Sequence, residues 1–533
     1  MNRSQVWSGS GQLTRDLVKF VSILGLGVGI GIISTTYSPL VALAGTVVFT
    51  ILAISLYVSS SYRQTSLVAD RAVPAFATEP KSGLLFYLFY LSFFISITIP
   101  KSGRTLANIP ITVANLFILF TLGCWLLTVL FSQKTPASIL LTKSTMLFIV
   151  YGVAAFFMGF INHNQRKSVV LDFVAFIGFI PIFFLGCSVV RTKAQIKKLI
   201  WAIGISSLLV CSYGVLQIRL GFERIAVPGI TEQSGKIMYQ GVGRWNIIEG
   251  GATKVYSTFQ NGNIFGNHLA TFIPFLGGIL IGIPSSRKKI LFLGIFLVSC
   301  YVLILTYSRG ALFGTVSGIM ILAAISRKIR LRAIIVVFLI FSVFFVFLQK
   351  SSNRPGLARY DFRRMTSDPD QFSAGRVERA KQVIKGFSNL PFPAKLFGIG
   401  FGGVLISPLG WRFEYVDNLY LTLLFKMGII GLILLLVVLT RLFLTLLKLR
   451  ARMPDLYFRG LLNGGIAGLF ASLIHNLADT LWFFPPLSAN FWFLAGITMA
   501  IGVLGSRNPE AEAPQGHEVR QNVKTRRSSL VSA

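Results

Sequence analysis

Acidic residues are few in this chain: 18 Asp and Glu stand against 51 Lys and Arg in 533 residues, a formal charge of +33. Charge of either sign is scarce too, at 13% of residues where soluble domains carry roughly one quarter. Cysteine is limited to Cys124, Cys187, Cys211 and Cys300, each inside an apolar run and without metal-like spacing. They read as small membrane-embedded hydrophobes. Together these shortages exclude a soluble enzyme, a disordered protein and a secreted disulfide scaffold. The apolar runs also lack polar alternation, which excludes a membrane β-barrel.

What the chain has is long apolar sequence. Hydrophobic residues make up 53%, and the mean hydropathy is +0.70. A spanning helix needs ~20 such residues. Fourteen stretches qualify: 20–36, 39–59, 83–100, 109–131, 139–160, 169–189, 199–218, 263–283, 290–307, 310–326, 333–348, 417–440, 460–477 and 487–505. The fold class is therefore all-α, a polytopic integral membrane protein with about 12–14 transmembrane helices. Arg3, Arg15 and Lys19 precede the first stretch with no small-residue cleavage site after it, so an uncleaved first helix is expected. The chain divides into a cytoplasmic N-terminus (1–19), a transmembrane bundle (20–348) with an outer loop at 219–262, a large outer loop (349–416), C-terminal helices (417–505) and a polar tail (506–533) that reads as disordered.

Excess Lys and Arg gathers in short cytoplasmic loops of membrane proteins. With both termini cytoplasmic, the clusters Arg191–Lys198, Arg287–Lys289, Arg327–Arg332 and Lys448–Arg459 all fall inside, and Arg166-Lys167 is a minor exception. An inner-membrane protein with both termini inside is expected. The loop 349–416 holds eleven basic residues against five acids, a net of +6 on the outer face. Anionic headgroups account for that charge; so does an anionic substrate bound at the outer surface.

An ionisable side chain at a helix centre costs ~2.5–3.5 kcal/mol on insertion scales, so depth separates functions. Asp172, His268, Asp417, His475 and Asp479 are placed at or near outer ends, and Arg309 in a short outer turn. Lys143 and Arg441 lie at inner ends. Lys426 alone lies deep, ~14 Å below Asp417 at 1.5 Å per residue, and the sequence shows no carboxylate beside it. Polar chemistry thus collects at the outer mouth. That favours binding or catalysis over a through-membrane pathway, and a mid-membrane carboxylate partner for Lys426 would revive a transporter.

Several motifs carry two readings. Thr306-Tyr307-Ser308-Arg309-Gly310-Ala311 either anchors a helix end or presents an arginine fork to phosphate. Ser257-Thr258-Phe259-Gln260-Asn261-Gly262-Asn263 suits a turn. In the large loop, Ser373 is expected to cap a helix ending near Gly386, with Val377, Ala380 and Ile384 as one stripe. Arg376 and Arg379 beside it are either a solvated face or a phosphate clamp. Gly398-Ile399-Gly400-Phe401-Gly402-Gly403 matches G-x-G-x-x-G without a surrounding βαβ unit and is discounted as nucleotide-binding. Asp368-Pro369-Asp370 is discounted likewise, and no Cys/His metal cluster stands out. Asp417-Asn418 opens a span directly after the basic loop, and Gly428 and Gly431 permit close helix packing.

In this order the motifs resemble those of the O-antigen ligase and polymerase superfamily (Wzy/WaaL-like). The matching elements are Ser257-to-Asn263, the Ser308-Arg309-Gly310 turn, Gly375-Arg376, and Asp417-Asn418 followed by nine residues and Gly428-x-x-Gly431. The resemblance covers roughly residues 200–500. It implies a GT-C-like bundle whose large extracytoplasmic loop contains short helices. It also implies a polyprenyl-diphosphate-linked glycan as donor, transfer outside the inner membrane without metal or cofactor, and arginines that hold the diphosphate. That role falls to Arg309 and Arg376, with Arg379 beside them. The ligases carry His where this chain has Asp417, which shifts the expectation toward a polymerase. A carboxylate can still take the acceptor's proton, so Asp417 is the expected base. Asn418, His475, Asp479, Asn261 and Asn263 are the expected supporting residues. A ligase acting on a lipid or protein acceptor is the alternative, and a transporter the second. Membrane lipids, a chain-length regulator and a flippase are the expected partners; nucleic acid is not.

Overall fold

In a computed structural model of the chain, the residues described are 83–106, 109–131, 142–162, 166–231 (save 223 and 228), 253–284, 287–326, 373, 375–402, 405–406, 412–413 and 416–506. The expected spans 20–36, 39–59 and 333–348, the N-terminus, the tail and Asp368-Pro369-Asp370 lie outside them.

Each of the other eleven apolar stretches is helical over most of its described length. The chain runs through α1 (Gly83–Thr98), a hairpin of β1 (Gly103–Leu106) and β2 (Ile109–Thr112), α2 (Val113–Phe131), α3 (Thr142–Asn162), α4 (Arg166–Phe176), α5 (Pro181–Val189) and α6 (Lys193–Leu220). It continues with α7 (Gly262–Gly282), α8 (Arg287–Leu305) and α9 (Arg309–Ile325), then α10 (Arg376–Ser388), α11 (Phe392–Phe397), β3 (Leu405–Ile406) and β4 (Arg412–Phe413). The last helices are α12 (Leu419–Ala451), α13 (Leu456–His475) and α14 (Pro485–Gly505). Among the described residues, eight helical stretches are long and apolar enough to cross a membrane, with α4 and α5 forming one of them. The protein is an all-α polytopic membrane protein, and the strands among the described residues form two minimal antiparallel hairpins.

Lipid gives helices little hydrophobic reason to associate, so small residues and close backbones must do it. Helices α7 and α13 make one such close contact: a Cβ at Gly278 would run into Gly464 and the Gly460 carbonyl. Helix α9 packs on the same pair. Helix α14 is buried on nearly every side, with Phe491 and Trp492 packed on Trp482 and Phe493 on Phe89 and Phe93.

Two spans depart from the simple reading. The stretch 169–189 breaks between Phe176 and Pro181, where proline opens the second half. Helix α12 is kinked at Gly428, whose φ of 67° is left-handed. The Gly398–Gly402 segment enters this kink. Broken helical geometry frees the carbonyls of Phe425 and Lys426, and Ile399 N and Gly400 N donate to them at 2.9 and 3.0 Å. Backbone groups at membrane depth must find protein partners, and here they find each other. Gly398, Gly400 and Gly402 have φ of 85°, 90° and 75°. The glycine motif is a backbone wedge.

The wedge is held by a pair that the sequence reading missed. Lys426 Nζ meets Asp172 Oδ2, both side chains being fully buried. The same carboxylate oxygen accepts Gly402 N–H at 2.8 Å, and Lys426 lies over the Phe483 ring. Asp172 therefore does not belong to the outer-end group. It sits six residues into α4, level with Lys426 seven residues into α12. The partners are 254 positions apart, which is why sequence alone left Lys426 without one.

Candidate active site

The N-termini of α7, α9, α10 and α12 meet the C-terminus of α13 at one end of the bundle. Each start has a local cause. Asn261 caps α7 by accepting Ile264 N–H at 2.9 Å. Ser308 caps α9 from the Ser308-Arg309-Gly310 turn. Gly375, with φ of 75°, opens α10, and Ser373 Oγ accepts Val377 N–H at 3.2 Å. Asn418 caps α12 by accepting Leu421 N–H at 3.0 Å, and its amide donates to the Leu477 carbonyl at 2.9 Å. Four helix N-termini direct their positive dipole ends to this region, a field that favours anions.

Capping by Asn418 leaves the Asp417 carboxylate for other work. Arg379 Nη2 donates to Asp417 Oδ2 at 2.6 Å, and Arg376 Nε lies 3.5 Å from the same oxygen. Arg376 Nη2 also reaches Asp479 Oδ2 at 3.5 Å. Asp479 accepts Asn263 Nδ2 at 2.9 Å and Thr480 N–H at 2.9 Å. Asn263 in turn accepts Lys254 Nζ at 3.3 Å. The result is one polar chain: Lys254, Asn263, Asp479, Arg376, Asp417, Arg379. The two carboxylates differ in access. Asp479 is 12% exposed and Asp417 36%, so Asp417 is the more accessible of the two.

His475 closes α13 beneath this chain. Its Nδ1 is 3.2 Å from Asn267 Nδ2, and its Nε2 is 3.5 Å from Ser308 Oγ. A Cβ at Gly310 would come within 2.7 Å of the His475 ring. The turn bearing Arg309 is thus pressed against His475. The structure brings Asn263, Arg376, Arg379, Asp417 and Asp479 into direct contact and puts the Arg309 turn beside His475. Asn261 and Asn418 stand at the same end as caps.

The loop helix ends at Ser388, two residues past Gly386. Of its stripe, Val377 and Ile384 are exposed, and α10 packs through Val383 and Phe387 on Phe425. His268 is packed among Phe259, Phe265 and Phe272. Lys254 was passed over because a lone lysine before a turn carries no pattern. Its position nine residues before Asn263 gave no signal of contact.

No curated protein matches the chain. Residues 294–436 match the family model described as O-Antigen ligase, a segment running from α8 through the arginine pair, Asp417 and the α12 kink. That segment carries Arg376, Arg379 and Asp417 of the polar chain, and over it the chain is similar to the O-antigen ligase family.

Proposed function

We propose that the protein is a polysaccharide polymerase of the O-antigen or exopolysaccharide type. It transfers a glycan from a polyprenyl-diphosphate donor to a sugar hydroxyl at the outer face of the inner membrane. The observation that carries this is the Arg376–Asp417–Arg379 cluster, a carboxylate between two guanidiniums at the meeting point of four helix N-termini.

The guanidiniums of Arg376 and Arg379 are engaged by carboxylates. A diphosphate is a stronger, bidentate competitor for the same forks. Its binding to Arg376 and Arg379, with Arg309 from the adjacent turn, frees Asp417 as the donor arrives. The acceptor hydroxyl then gives its proton to Asp417 while its oxygen bonds to the anomeric carbon. The anomeric carbon–oxygen bond to phosphate breaks, and its electron pair leaves with the polyprenyl diphosphate. Charge builds on that leaving group, where fixed arginines lower the barrier. One base and a single displacement invert the anomeric centre. Asp at position 417, in place of the ligases' His, favours the polymerase over transfer to a lipid or protein acceptor.

The Lys426–Asp172 pair favours a second reading, a transporter. Against it, Asp172 is the one carboxylate among the described residues that lies within a span rather than at an end. A conduit needs such groups at successive depths. The pair also has backbone and aromatic neighbours suited to holding the wedge.

The test is reconstitution in liposomes with a lipid-diphosphate oligosaccharide. Lengthened lipid-linked glycan supports the polymerase; transfer only to an added lipid acceptor supports the ligase; flux of intact donor without new linkages supports the transporter.

A further inference from the structure

We propose that Lys254 is a positioning residue of the donor site, setting Arg376 through Asn263 and Asp479. The inference rests on the donor-site reading above.

The physical basis is hydrogen-bond polarity. An ammonium only donates and an ionised carboxylate only accepts, whereas an asparagine amide has one end of each kind. Asn263 lies between the two. Lys254 Nζ faces its Oδ1 at 3.3 Å, and its Nδ2 faces Asp479 Oδ2 at 2.9 Å. A flipped amide would set NH₂ against ammonium and oxygen against carboxylate, so both neighbours select the same orientation. Thr480 N–H holds the other Asp479 oxygen at 2.9 Å. The carboxylate therefore has little freedom to turn, and its Oδ2 stays directed at Arg376.

Lys254 is built into place. Its residue is 7% exposed, so it acts through its neighbours rather than on a solute. Val255 N–H donates to the Leu305 carbonyl at 3.0 Å, tying the segment to the end of α8. The lysine stem lies across Gly262, where a Cβ would come within 2.8 Å of Lys254 Cβ and of the Thr306 carbonyl. Gly262 leaves that lane open. The arrangement sets one carboxylate's direction, and that carboxylate sets a guanidinium.

The test measures binding of a fluorescent, sugar-free polyprenyl diphosphate to the full-length protein in nanodiscs. Lys254→Met and Asn263→Leu are each expected to weaken binding ~10- to 100-fold, the scale of a misplaced binding group. Because both interrupt one chain, the double variant should be no weaker than the worse single. Lys254→Arg, which keeps a donor toward Asn263, should bind within a few-fold of the unaltered protein. In turnover, donor KM should rise more than kcat falls. If Lys254→Met folds poorly, Asn263→Asp keeps the lysine contact but sets a second carboxylate against Asp479, and weakened binding is again expected. Unchanged binding in the single variants, or losses that add in the double, overturns the positioning role. Failure of the unaltered protein to prefer diphosphate over monophosphate overturns the donor-site reading and this inference with it.

Discussion

Lys426→Met would strand a carboxylate in the buried core. Asp172 would keep the Gly402 N–H at 2.8 Å and lose its ammonium. Removing one partner of a buried ion pair costs ~3–5 kcal/mol. The retained hydrogen bond to the charged acceptor is worth ~1.5–3 kcal/mol, which places the expected loss near the lower end, about 3 kcal/mol. Adding Asp172→Asn removes the orphaned charge, while its amide oxygen still accepts Gly402 N–H. The double variant should return to within ~1 kcal/mol of the parent, since neutral replacement of a buried pair is often nearly free. Asp172→Asn alone strands the ammonium and should also cost about 3 kcal/mol, so the coupling in a double-mutant cycle is about 5 kcal/mol in magnitude. Unfolding in mixed detergent, followed by tryptophan fluorescence, reads all four proteins. A Lys426→Met variant as stable as the parent, or a double variant as weak as the summed singles, would refute the pair's role in holding the wedge. A stable double variant that has lost glycan assembly would show that the pair does chemistry, the transporter's requirement.

Three further outcomes follow from the same geometry. Gly428→Ala should lose the wedge and much of the folded yield, because its φ is 67° and a Cβ would strike the Leu396 carbonyl; Gly294→Ala, with open space around it, should gain up to ~1 kcal/mol from helix propensity. Asn418→Ala should cost ~1 kcal/mol for the lost cap, measured by thermal melting, with a further loss from the Leu477 contact. Arg309→Ala should abolish polymer in cells at unchanged membrane level, and Arg309→Lys should rescue poorly for want of a planar fork; normal polymer on a glycan gel would remove Arg309 from the site.

Much of the fold was legible because apolar runs of span length have few other destinations. Within the described residues, stretches such as 263–283 and 487–505 became α7 and α14 with ends shifted by a residue or two. The kink in α12 was not legible, since a glycine inside an apolar run reads equally as a packing site. What bends the helix is the 398–402 wedge, a tertiary event. Three glycines at alternate positions are compatible with close backbone approach, but without a βαβ unit the G-x-G-x-x-G pattern pointed to no partner. At the site, residues at helix starts and ends were legible because depth grouped them. Of the depth group, Asp417 and Asp479 are linked through Arg376, while His268 and Asp172 stand apart from them. Lys254 and Asp172 were not legible, because their meaning lies in partners that no spacing encodes.

The base assignment of Asp417 is open to one direct measurement. Asn at 417 keeps the shape and removes the basicity, and Asn418 rather than Asp417 caps α12, so no cap is lost with the charge. Purified Asp417→Asn protein, given lipid-diphosphate oligosaccharide at matched protein level, is expected to turn over ~10²- to 10⁴-fold more slowly, the span of general-base catalysis. Turnover near that of the unaltered protein would contradict the assignment.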